Sequence, residues 1–208
     1  MRGDLELLLA WRAGDTRAGN ELVRRFFPSI YRFFRSKLEA EVEDLTQQVL
    51  LALVERSPHM ASDSNVRAYL FGIARRKLLA HLRQRYAQNQ HIASDVISVQ
   101  GIAGESQESF SELVHAHRAQ RQLLLALRRL PIEHQIVVEL HYWEGMRIAE
   151  IAEVVEAAPG TVKSRLARAR AKLQEQLGEG FAAADPSLGE GIDDWVSSIR
   201  ALAGPPSA

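Results

Sequence analysis

Apolar residues recur at every third or fourth position through most of the chain, the spacing of one face of an α-helix. Leu5 to Trp11 is a short apolar helix that ends in a turn at Gly14-Asp15. Asn20 to Leu38 sets Leu22, Phe26, Phe27, Ile30, Phe33 and Phe34 on an apolar side, with Pro28 as a kink or a break between two helices. Glu41 to Arg56 sets Leu45, Val49, Ala52 and Leu53 on its buried side. Asn65 to Arg85 does the same with Leu70, Ile73, Ala74, Leu78 and Leu82, and Asn65 suits the N-cap. Periodicity then stops. Ala87 to Ser111 is rich in Gln, Ser, Asn, Gly and Asp and reads as a mobile connector.

Helical spacing resumes from Glu112 to Leu130 and stops at Pro131. Ile132 to Tyr142 follows, and then Ile148, Ile151, Ala152 and Val155 at the spacing of another helix. A turn at Glu156-Ala157-Ala158 leads to Pro159, which suits a first helical position. From there to Gln174, Val162, Leu166, Ala169 and Leu173 form one stripe. β-branched alternation is absent, so the prediction is an all-α protein of two small helical domains. Residues 1–88 form the first and 112–178 the second, joined by a flexible linker at 89–111. Residues 179–208 form a C-terminal extension in which Ile192, Trp195, Val196, Ile199 and Leu202 mark an amphipathic helix. Such a stripe needs a cover. The cover is either the rest of the chain, for stability, or a binding surface that the helix masks.

Composition adds exclusions. Lys+Arg and Asp+Glu are equal at 26 each, so net charge names no partner. The signs are segregated, however, and no acid occurs between Asp63 and Asp95. Cysteine is absent, which removes disulfides and thiol chemistry. The N-terminus is too short and too charged for a signal peptide, and no run approaches a membrane span. A cytoplasmic protein without membrane insertion is expected. His91, His115 and His117 are too sparse for a metal site, and no phosphate loop or nucleophile elbow is visible. Neither cofactor nor enzymatic activity is expected.

Three stretches carry candidate function. The helix from Pro159 turns Thr161, Ser164, Arg165 and Arg168 away from its stripe, with Lys163 and Lys172 beside them. Preceded by a short helix and a turn, it reads as the second helix of a helix-turn-helix that enters a DNA major groove. In the helix from Asn65, Arg67, Arg75, Arg76, Lys77, Arg83 and Arg85 interleave with Tyr69, Phe71 and Tyr86. Cations with aromatics suit single-stranded nucleic acid, although Phe71 reads better as core. The third stretch begins with Glu41, Glu43 and Asp44, which favour the positive end of a helix dipole. That role does not explain why Gln47, Gln48 and apolar Leu51 share its outer side; a partner-binding face does.

DLTQQVLLAL, NVRAYLFGIARRKLLAHLRQR and the block from LRRLPIEHQ to RARAKL resemble the extracytoplasmic-function sigma factors, over most of residues 5 to 177. The resemblance implies a transcription initiation factor that binds core RNA polymerase, directs it to promoters and helps melt the minus-ten region. It gives Glu41, Glu43, Asp44, Gln47 and Gln48 the polymerase-facing role. It places Arg67, Tyr69, Arg75, Arg76 and Lys77 near the opened strand, and the helix-turn-helix on double-stranded minus-35 DNA. Where the family often has an Asn that helps capture a flipped base, this chain has Arg76, so the resemblance leaves its minus-ten preference open. Family members usually carry Gly near Glu156, where the turn favours positive φ. Many relatives are held by an anti-sigma factor. The alternative is a free-standing helix-turn-helix regulator, which would leave the acidic helix and the first basic helix without roles.

Overall fold

The computed structural model describes residues 2–56, 65–90 and 118–177, and every regular element among them is a helix. They fall into two compact units, with the division between Gln84 and Arg85. The first holds α1 (Asp4–Arg12), α2 (Thr16–Arg35), α3 (Val42–Arg56) and most of α4 (Val66–Gln90). The second holds α5 (Arg118–Arg128), α6 (Ile132–Tyr142), α7 (Ile148–Val155) and α8 (Pro159–Leu177).

In the first unit, Asp15 N-caps α2 by accepting from the backbone N–H of Arg17 (3.0 Å) and Ala18 (3.2 Å). The Ala18 N–H, then Arg2, hold its carboxyl below the ordinary range. Arg25 ties α2 back to α1, donating to Asp4 Oδ1 at 2.7 Å. The core gathers Leu7, Leu22, Ile30, Phe34, Val49, Leu53, Leu70 and Phe71, all fully buried. Phe33 meets Phe71 edge-on at 5.7 Å, which seats α4 against α2.

Three expectations need correction here. α2 starts at Thr16 and runs unbroken through Pro28. Proline removes one i→i−4 bond, but the buried faces of Phe26 and Ile30 on either side keep the helix in one piece. Phe27 is not core: it is 38% exposed and stacks on Tyr31 at 5.9 Å. Arg32, by contrast, is buried and donates to Ser29 Oγ. Finally, α4 continues to Gln90, through the first residues read as connector.

In the second unit α6 is the hub, with Ile136, Val137, Val138 and Leu140 fully buried. The buried Gln135 donates from Nε2 to Oε1 of the buried Glu139 at 3.0 Å, as buried polar groups find partners. α8 lays Val162, Leu166, Ala169 and Leu173 onto α6 and its neighbours, all at 6% exposure or less. Each buried Val or Leu contributes about 1.5–3 kcal/mol. The rest of the helix from Glu112, the linker beyond Gln90, the three sparse histidines and the extension 179–208 lie outside the described residues.

Candidate nucleic-acid and partner interfaces

α7 and α8 make the anticipated helix-turn-helix. Glu150 braces the start of α7, accepting from the Arg147 backbone N–H at 2.8 Å. At the other end Glu156 takes a left-handed backbone, φ 53° and ψ 47°. That residue turns the chain, and the Ala157 N–H closes back on the Ala152 carbonyl at 3.1 Å. The Ala158 carbonyl then accepts from Thr161 N–H (2.9 Å) and Val162 N–H (3.2 Å), starting α8.

With the apolar stripe of α8 sealed, the opposite face is open. Thr161, Lys163, Arg168 and Lys172 are exposed, while Ser164 and Arg165 are half-buried. Arg165 leans toward α6 and donates from Nη1 to Glu133 Oε2 at 3.2 Å. Beside that pair, His134 has its pKa lowered by burial, and then by Lys172, Arg165 and Arg168. Its Nδ1 is buried without a hydrogen-bond partner. On another flank Arg170 donates to the Tyr142 hydroxyl and lies 5.4 Å from that ring's centroid. Sequence reasoning missed Glu133 and His134, because residues far apart in the chain share no periodicity with α8.

On α4 the predicted residues divide. Tyr69, Arg76 and Arg83 recur at two-turn intervals and so share one face, with both arginines exposed. Arg85 is exposed on a different side, and Arg67 and Arg75 are half-buried. Phe71 is core, at 0% exposure. Lys77 is engaged within the unit: its ammonium donates to Gln48 Oε1 at 2.7 Å.

That contact joins the candidate polymerase face on α3. Gln48 Nε2 in turn donates to Asp44 Oδ2 at 2.7 Å, so Asp44, Gln48 and Lys77 form one hydrogen-bonded row. Glu41, at φ 64°, approaches His81 Nδ1 at 3.0 Å, and Glu43 accepts from the Tyr31 hydroxyl at 3.2 Å. Glu41, Glu43, Asp44 and Gln47 are exposed at the front of α3. Further along, Leu51 is 49% exposed, and Val54, one turn on, is 43% exposed. Val54 was missed in the sequence, although its spacing from Leu51 signals a shared face. Leu51 and Val54 thus leave two large apolar side chains in water on one side of α3.

Among the described residues no three His, Cys, Asp or Glu side chains are grouped to hold a metal ion. No helix among them is long and apolar enough to cross a membrane.

These features define a two-unit helical protein with a helix-turn-helix in its second half. Residues 22–88 match the Sigma-70 region 2 family and residues 120–173 match the Sigma-70, region 4 family. The chain is 33% identical over 179 residues to the ECF RNA polymerase sigma factor SigM of Mycobacterium tuberculosis, covering 85% of this chain and 86% of that one. It is 31% identical over 142 residues to SigL of the same species, covering 67% of this chain and 76% of the relative. Among solved structures it is similar to the sigma factor RpoE of Bartonella quintana, crystallised with the anti-sigma factor NepR. That likeness has a TM-score of 0.61 at 25% identity, over 76% of this chain and 95% of the other. The chain belongs to the extracytoplasmic-function family of RNA polymerase sigma factors. Members are non-enzymatic initiation factors that direct RNA polymerase to promoters, and region 2 is the melting region. The free-standing regulator is not favoured.

Proposed function

We propose a residue-level division of labour within this sigma factor. The front of α3, with Glu41, Glu43, Asp44, Gln47, Gln48 and Leu51, docks on core RNA polymerase, and Val54 extends that face. On α4, Tyr69, Arg76 and Arg83 take the opened minus-ten strand by stacking and phosphate contact. Arg67, Arg75 and Arg85 support the same strand from the flanks, and Lys77 orders the α3–α4 seam through Gln48. On α8, Thr161, Ser164, Arg165 and Arg168 face the minus-35 bases, and Lys163 and Lys172 meet phosphate. The first domain spans residues 1–88, the second 112–178, and the linker 89–111.

The observation that carries this reading is the α8 surface: exposed cations and hydroxyls above a sealed apolar stripe, entered through the left-handed turn at Glu156. The protein works in the cytoplasm. An anti-sigma protein, the kind of partner seen with RpoE, holds it in check.

Run-off transcription tests the reading. Core polymerase with the full chain should initiate at discrete sites on genomic fragments where core alone does not. Failure to form a complex with core, or initiation no different from core alone, overturns it. Arg165→Ala should cost about 1–3 kcal/mol at a specific minus-35 site and leave random duplex binding nearly unchanged.

A further inference from the structure

A carboxylate on a DNA-facing surface opposes phosphate, so Glu133 beside Arg165 needs a reason. Its Oε2 lies 3.2 Å from Arg165 Nη1, and the two side chains are only 19% and 25% exposed. The acid stands in the first turn of α6, where the helix dipole favours an anion. The backbone that carries it is anchored by the sealed Ile132 and Gln135 on either side. From α8, Arg168 and Lys172 lie close enough to bear on the neighbouring His134. Arg165 is therefore held by a rigid, well-placed acid, while the other cations on that face are exposed.

We propose that Glu133 is a positioning residue for Arg165, clipping one edge of the guanidinium so that its remaining N–H groups aim at a guanine in the minus-35 element. This rests on the reading of α8 as the base-reading helix. Arg pairs bidentately with guanine O6 and N7, and the planar guanidinium retains donors for both when one nitrogen is taken by a carboxylate. A long side chain loses rotamer freedom when it binds, and one already pinned has less to lose. The same negative charge disfavours phosphate. Glu133 thus weakens binding to any DNA while sharpening the choice of one base pair.

These opposite signs make the test. The full-length chain is used to select duplexes from a random pool. Wild type, Glu133→Ala, Arg165→Ala and the double variant are then titrated on the selected duplex and on its single base-pair replacements, at fixed salt. Arg165→Ala should erase a guanine preference of roughly 5- to 150-fold at one position. Glu133→Ala should lower the same preference by about 3- to 10-fold, bind random duplex as tightly as wild type or tighter, and add nothing once Arg165 is gone. Glu133→Gln, which keeps an acceptor without the charge, should retain most of the preference, separating positioning from folding. If Glu133→Ala strengthens all duplexes equally and leaves the guanine preference intact while Arg165→Ala removes it, the positioning role is wrong and the base-reading role stands. If Arg165→Ala weakens every duplex equally, the reading of Arg165 fails and the proposal goes with it.

Discussion

Glu156 shows what a single residue reveals and conceals. The turn before α8 demands a left-handed backbone, and the chain meets it with a side chain that disfavours it. That demand was anticipated through the resemblance, whose members usually carry Gly near this position. Glu156→Gly should therefore stabilise the protein by about 0.5–1 kcal/mol, read as a higher denaturation midpoint with unchanged slope. Glu156→Ala, which keeps a Cβ, should give no such gain; equal gains from both would mean that the backbone is not strained there. Glu41 shares the positive φ and approaches His81, so Glu41→Gly would remove that approach along with the strain. What stayed hidden at this scale were pairings across elements. The link from Arg165 to Glu133 joins residues 32 apart, and that from Lys77 to Gln48 joins residues 29 apart. In the sequence Arg165 and Lys77 read as DNA-facing cations and Gln48 as part of a partner face, and only the folded backbone brings them within bonding reach of Glu133 and of each other.

Helices were legible as elements wherever an apolar stripe was narrow, as on α8. They were misjudged at the stripe's edge. Phe27 lies beside Phe26 in sequence yet is exposed, because a helical face is wide and its flanking positions belong to either side. The contact between α1 and α2 also had no signature. Gly19 is buried in α2, and a Cβ built there would lie 2.5 Å from Trp11 Cε2. The indole rests on bare backbone, so the glycine is a packing requirement and not a helix breaker. Gly19→Ala sets two effects against each other: helix propensity improves by ~1 kcal/mol, while overpacking costs about 1–3 kcal/mol. A rigid ring against a rigid backbone favours the second, and a net loss of roughly 1 kcal/mol in denaturant unfolding is expected. A gain in stability would mean that Trp11 moves aside without cost.

For the whole molecule, order along the chain was legible because charge and periodicity change together. An acidic helix, a basic one, a stretch without period and then a helix-turn-helix follow one another, and the region 2 and region 4 matches fall on the same parts. This order predicts that the two binding activities can be separated in the intact chain. Reversing Glu43 and Asp44 to Lys replaces two exposed acids at the front of α3, within the first unit. It also removes the acceptors of Tyr31 and Gln48, one part-buried and one exposed hydrogen bond. Such bonds contribute about 0.5–1.5 kcal/mol each, too little to unfold a sound helical core. The double variant should keep its helical circular dichroism and its affinity for duplex minus-35 DNA, yet lose at least tenfold in affinity for core polymerase in a pull-down titration. Several kcal/mol of interface energy commonly rest on a few central contacts, so a tenfold loss, about 1.4 kcal/mol, is a modest demand on two reversed charges. Unchanged core binding would move the docking energy to Leu51 and Val54, the apolar part of the same helix. Loss of core and duplex binding together, with the circular dichroism intact, would mean that α3 does not act separately from the second unit.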